Sequence, residues 1–344
     1  MQHSDFQGHP FLKLGISYYG NRIPWRVQED LEEIRKAGCT YVVHTFAEDD
    51  MEFYQPAMKE IVQLSHDAGL EVWLDPWAVG QAFGGEAYSS LIAKDLSVRQ
   101  VSSRGDSLPI ACLNHPVFRD FLLTWIEAAA KLGADVLLWD EPHFMIYPER
   151  DTGEPPKLWA CRCPACEEKF YSRTNRPLPE TMTPEVRLFK EESLVELSKF
   201  LCDATKARGL KASVCLLPFE NSSTVNDWGK IAAIPSLDIL GADPYWQPHQ
   251  PDVKGYVAKF AKRIKELADK NGKESMLWIL NFNIPKGEEP KIQEALDAGY
   301  GVGIRNFAAW SYYGAAPMNL RAEDPAAVWK TLGEGYKELA RRGS

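Results

Sequence analysis

Eight short apolar runs, each followed by a stretch with helical spacing, leave this 344-residue chain few folds to choose from. The runs fall at residues 13–19, 40–46, 70–74, 134–139, 211–217, 237–241, 275–280 and 303–310. Helical patterns with apolar residues three and four apart occupy residues 28–37, 51–68, 116–132, 184–208, 223–233, 253–270, 289–298 and 325–341. Gly38, Gly69, Gly133 and Gly209 stand where four of these helices should stop. Each crossover is long enough for a right-handed strand–helix–strand unit. The expected fold is therefore α/β, a (β/α)8 TIM barrel spanning residues 1–344 as one domain. No Gly-x-Gly-x-x-Gly follows the first strand, which argues against an open dinucleotide-binding sheet.

Two segments interrupt the alternation. Residues 78–115 follow strand three; up to residue 108 they show no sustained period and carry Gly80, Gly84, Gly85 and Gly105. Residues 142–183 follow strand four. Long irregular segments inside a compact barrel tend to be functional loops.

Strand four deserves the closest reading. Ala134-Asp135-Val136-Leu137-Leu138-Trp139 runs into Asp140-Glu141, and Pro142 ends regular structure before His143-Phe144. A continuous apolar run reads as a strand buried on both faces. Its carboxyl end lies at the barrel rim, where reacting groups are held. Glycoside cleavage needs two carboxyl groups, one protonated and one ionised. Glu141 fits the acid by position. The second group is expected from Asp243 after strand six, from Asp75 after strand three, or from Asp140 orienting a substrate's own acetamido group. Capping of a strand end before proline is the plainer reading of Asp243 and Asp75.

Sugars have apolar faces ringed by hydroxyls, so aromatic platforms with nearby amides suit them. Trp77, Tyr245, Trp246, Trp310, Tyr312 and Tyr313 all follow expected strand ends, and part of this set should pack under loops instead. His44, His143, Asn281 and Asn283 are candidates for hydroxyl binding. His44 reads equally as a hydrogen-bonded structural residue.

Cys161-x-Cys163-x-x-Cys166 lies in a polar context of Arg162, Pro164, Glu167 and Glu168, unlike core filler. Thiolates at this spacing converge on one zinc ion from a tight turn, and Cys112 is the best candidate for the fourth ligand. Four cysteines leave no open position, so the zinc would be structural, stapling residues 78–115 to 142–183. Free thiols in a loop are the alternative. Cys39, Cys202 and Cys215 fall at helix or strand positions and read as packing residues.

A family comes into view on these residues. Cys112-Leu113-Asn114-His115-Pro116-Val117-Phe118-Arg119-Asp120 resembles the Cys-Pro-Asn-x-Pro-x-Tyr-Arg stretch of glycoside hydrolase family 42, the β-galactosidases. Asp140-Glu141 is similar to that family's Asn-Glu pair, whose glutamate is the acid/base. Cys161-x-Cys163-x-x-Cys166 followed by Glu167-Glu168-Lys169-Phe170 is similar to its zinc segment. The likeness covers roughly residues 105–175 and implies a barrel glycosidase with a structural zinc. The chain departs from the family at strand seven, where Leu280-Asn281-Phe282-Asn283 holds no carboxylate in place of the nucleophile.

A net charge of −9 disfavours nucleic acid and anionic membrane surfaces as partners. No run approaches the roughly 18 apolar residues of a membrane span, and residues 1–10 are polar without a signal-like apolar core. A cytoplasmic protein is expected, with a carbohydrate as substrate and homo-oligomerisation left open. Three functions remain: a glycoside hydrolase or transglycosidase, a carbohydrate-binding barrel that has lost its nucleophile, and a metal-dependent hydrolase or isomerase using Asp75, Asp140, Asp243 and a histidine.

Overall fold

The structure, a computed structural model, describes residues 12–147 and 158–343. The polar start of the chain and residues 148–157 of the second interruption lie outside the described residues. Eight parallel strands close into a barrel: β1 (Lys13–Tyr18), β2 (Tyr41–Thr45), β3 (Glu71–Asp75), β6 (Val136–Asp140), β7 (Lys211–Leu216), β8 (Ile239–Ala242), β9 (Glu274–Leu280) and β10 (Asn306–Trp310). β4 (Arg99–Val101) and β5 (Ser107–Ala111) form a separate antiparallel pair. The (β/α)8 architecture follows the expected alternation strand for strand.

Period-two alternation decides what each strand contributes. Tyr41, Val43, Trp73, Val136, Leu138, Ile239, Met276 and Trp278 point inward and fill the barrel. Val42, Val72, Leu74, Leu137, Trp139 and Leu240 point outward into the larger core under the helices. Tyr41 stacks on Trp73 with ring centroids 4.6 Å apart. Gly15 permits this, because a Cβ there would sit 2.2 Å from the Tyr41 ring. The same parity carries Asp75, Asp140 and Asp243, at the ends of β3, β6 and β8, onto the inward face at the mouth.

The outer layer comprises α1 (Pro24–Ala37), α3 (Gln55–Asp67), α5 (Pro116–Leu132), α7 (Pro184–Lys206), α9 (Val253–Asn271), α10 (Pro290–Val302) and α11 (Pro325–Gly343). Gly38, Gly133, Gly272 and Gly303 end four of these in the left-handed conformation. The expected helix over 51–68 is instead α2 (Glu48–Phe53) and α3, broken at Tyr54. The expected helix over 223–233 shortens to α8 (Trp228–Ala232), capped by Asp227.

The first interruption is more ordered than its glycines imply. It contains α4 (Ser90–Lys94) as well as β4 and β5. One buried side chain anchors it: Glu48 of α2 accepts hydrogen bonds from Gly80 N, Ser89 Oγ, Ser90 Oγ and Leu91 N, at 2.6–3.1 Å. The second interruption joins it edge-on. Ser102 pairs with Ala160, Ser103 N donates to Trp159 O and Arg162 N to Val101 O. Gln100 bridges both, donating to Ala111 O and accepting from Met145 N. α6 (Pro164–Thr174) then begins, with Cys163 at its N-cap position. Only Cys166 and Phe170 of α6 are buried, so its sequence carries almost no amphipathic signal. Among the described residues no helix is long and apolar enough to cross a membrane.

Candidate active site

At the carboxyl ends of the strands lies a hollow of about 210 Å3. Asp75, Asp140 and Glu141 give it an acidic floor and the less buried Glu86 an acidic lip; Trp77, Tyr245, Phe282 and Trp310 give it aromatic walls. Gly84, Gly85 and Leu320 complete the lining, which among the described residues holds no cationic side chain.

Neighbouring residues on a strand face opposite ways, so Asp140 and Glu141 should not share a cavity. They do because Glu141 leaves the strand with φ +46°, a left-handed conformation that non-glycine residues rarely adopt. The bend is held by Glu141 N donating to Cys215 O at 3.1 Å and His143 Nδ1 to Glu141 O at 2.6 Å. Gly84 closes over the pair, its N–H donating to the Asp140 carbonyl at 3.1 Å. A Cβ at Gly84 would lie 2.3 Å from Asp140 Oδ2 and 3.2 Å from Glu141 Oε2, so the approach requires glycine.

Like charges crowd this floor. Burial first, then the charges of Glu141 and Glu86, push the Asp75 carboxyl well above its ordinary range. Burial, then Glu141 and Asp75, do the same to Asp140, opposed by a hydrogen bond with the Cys215 thiol. Asp243 is raised by burial, by the Glu141 charge and by a hydrogen bond with the Glu141 carboxyl. Glu86, at the lip, is raised by partial burial and by Glu141. Asp75 Oδ1 and Asp243 Oδ1 are buried with no hydrogen-bond partner among the described residues.

A carboxyl raised in the folded state favours folding below its unfolded pKa, near 3.9. That contribution is lost as pH rises through the folded value. Asp75→Asn should therefore match the parent's thermal midpoint near pH 4 and exceed it increasingly as pH rises. A gain of about 1 kcal/mol would lift the midpoint roughly 1–2 °C in a chain of this size. Melting curves across that range that stay superimposed would contradict the repulsion described.

The other expected site residues scatter. Trp77, Tyr245 and Trp310 line the hollow, while Trp246 is buried in the core. Asp243 lies behind Glu141 and is not part of the lining. His143 is absent from the lining, and burial lowers its pKa. Asn281 is buried and its amide donates to Ser311 O at 2.8 Å, tying strand seven to the loop after strand eight. Asn283 is exposed and outside the lining. His44 is buried against Ser65 Oγ at 2.8 Å, and burial lowers its pKa to about 3, so it stays neutral. It lines a separate, larger cavity beside the hollow. Glu86, Phe282 and Tyr19 escaped the sequence reading. Glu86 sits in a glycine-rich loop with no strand end to flag it. Tyr19, just past β1, stacks on both Trp77 and Trp310 at centroid distances of 5.2 and 5.8 Å.

The four cysteines meet. One sulfur each of Cys112, Cys161, Cys163 and Cys166 lies within 4.8 Å of the others, all buried. Cys112 is 3.4 Å from Cys166 and 3.3 Å from Cys163. Four sulfurs held about 2.3 Å from one ion would stand about 3.8 Å apart, so the cluster needs only slight expansion. N–H groups of Val101 and Cys163 point at Cys161 Sγ, and the Asn114 amide at Cys166 Sγ, at 3.3–3.4 Å. Such donors suit thiolates, so the residues fit a bound metal ion. Among the described residues, no three of the rim carboxylates and histidines bring ligand atoms that close together.

A scan of protein families finds no match to this sequence, and a search of curated proteins finds none either. Solved structures do share the fold. GH5_18 from Streptomyces cattleya, in complex with GlcNAc, matches with a TM-score of 0.58 at 12% identity, covering 97% of this chain and 80% of that one. GH5_18 from Bifidobacterium longum subsp. longum ATCC 55813 gives 0.56 at 11%, covering 96% and 79%. A D-psicose 3-epimerase in the presence of D-fructose gives 0.51 at 12%, covering 96% and 98%. At these identities the likeness is one of fold.

Proposed function

We infer that this chain is a glycoside hydrolase, or a transglycosidase on the same scaffold, with Glu141 as general acid. The observation that carries the reading is the bend at Glu141, which delivers an acidic pair to a cation-free hollow walled by aromatic rings. Asp243, outside the lining, is a buried neighbour whose carboxyl is raised by burial and by the Glu141 charge. Asp75, across the floor with an unpartnered oxygen, is the second carboxylate. When Glu141 carries the proton, its charge no longer helps to hold one on Asp75, which is then freer to ionise.

A second reading rests on Asp140, which lines the hollow beside Glu141 while strand seven ends without a carboxylate. There Asp140 orients a 2-acetamido group that attacks the anomeric carbon itself. A panel of nitrophenyl glycosides, hexosides and 2-acetamido-hexosides together, separates the two. Turnover of hexosides supports Asp75, and turnover confined to acetamido sugars supports Asp140. Saturable sugar binding with no nitrophenol released from any member would leave a non-catalytic carbohydrate-binding barrel. The metal-dependent reading is disfavoured by the spread of the rim donors.

The ion held by the cysteines is zinc, the usual occupant of a closed four-thiolate site, and its role is structural. It makes one working unit of the barrel and the two interruptions. The likeness of residues 105–175 to glycoside hydrolase family 42 agrees with this assignment and with Glu141 as acid.

A further inference from the structure

Beside the hollow lies a second cavity of about 550 Å3, and Trp77 lines both. The loop between them is shared in order: Gly84, Gly85 and Glu86 face the hollow, Ala87 to Ser90 the larger cavity. A substrate with its scissile bond over Glu141 can therefore extend past Trp77 into this space. The hollow is small against the roughly 300–1,000 Å3 typical of drug-sized sites, whereas the larger cavity falls within that range.

The lining indicates what enters. Ala47, Met58, Ile61, Ala93 and Trp77 give it apolar surface. Most of its polar side chains already have partners. Arg22 pairs with Asp49 and Asp50. Ser89 and Ser90 donate to Glu48, and His44 is bonded to Ser65. Asn21 donates to Tyr18 and accepts from Ile23 N. A sugar unit buried here would leave hydroxyls short of partners, at a cost of about 1–3 kcal/mol for each stranded group. An aromatic or aliphatic group brings no hydroxyls to strand. At the mouth Tyr88 is 95% exposed, a ring free to stack on such a group.

Resting on the hydrolase reading, we propose that this cavity is an aglycone site and that the substrate is a glycoside of an aromatic or apolar alcohol. Ala93, exposed on α4 at the cavity wall, offers a way to fill it without touching the core. Calorimetric titration of the full chain with 2-naphthol should show one saturable site, and Ala93→Trp should weaken it at least tenfold. Tyr88→Ala should weaken it several-fold. Cellotriose should bind no better than glucose. Absence of saturable naphthol binding, or binding indifferent to both substitutions, overturns the proposal. So does cellotriose binding that Ala93→Trp abolishes, which would make the cavity a sugar subsite. The titration needs no turnover, so its failure removes the aglycone site and leaves the hydrolase reading standing. Naphthol binding beside an inactive glycoside panel removes the hydrolase reading instead.

Discussion

Glu141→Gln is expected to lower turnover of any accepted glycoside by about 10²–10⁴-fold, the usual contribution of a positioned general acid. Glutamine keeps the shape of glutamate, and the bend is held by the backbone of residue 141, so the bend and the walls of the hollow should persist. It cannot give up a proton to a leaving oxygen. The variant should also melt no lower than the parent. Glu141 is the largest charge acting on Asp75, Asp140 and Asp243, and removing it relieves all three. Steady-state rates with an activated and a poor leaving group give the sharper check. An activated leaving group needs little protonation and should lose far less rate. Equal losses with both substrates would mean that residue 141 is not the proton donor, and full activity would dismiss it altogether.

The second large effect is expected at the cysteines. Removal of the metal by a strong chelator, or Cys166→Ala, should lower the thermal midpoint by ten degrees or more. Structural zinc in small peptides is worth roughly 10–16 kcal/mol, and part of that is recovered here by the packing of Trp159, Phe170 and Phe189. Hydrogen exchange should localise the damage. β4, β5 and residues 158–174 should lose protection while β7 to β10 keep theirs, because the N–H groups aimed at the sulfurs come from Val101, Cys163 and Asn114, none of them on a barrel strand. Metal analysis of the intact chain should find one zinc per molecule. A chain that purifies without metal, melts at the same temperature and exchanges no faster would refute the staple.

Much of this was legible in the residues. Apolar runs of buried strands and the glycines closing helices suffice for a barrel, because neither signal depends on distant contacts. Parity then places Asp75, Asp140 and Asp243 on the inward face once their strands are found. The bend at Glu141 was not legible. Nothing local marks a glutamate for a left-handed backbone, and strict alternation points it the wrong way. Glu86 and Tyr19 were missed because the hollow is completed by a loop, and its Trp77 and Trp310 walls braced by a first-strand end, that meet only in three dimensions. Asn281 shows the reverse error: a strand-seven amide that looks like a sugar ligand is spent on the Ser311 carbonyl. α6 hid because a short polar helix pinned through Cys166 and Phe170 needs no apolar stripe.

The Glu48 anchor has a consequence for motion. Both oxygens of one carboxylate hold the segment that carries Glu86 to one cavity and Ser89 to the other, so neither side of that segment can open alone. Entry of a bulky group on one side would be felt as a tug on the acidic lip of the other, through a hinge rooted in the helix after the second strand. Loosening that root would unlatch both chambers together.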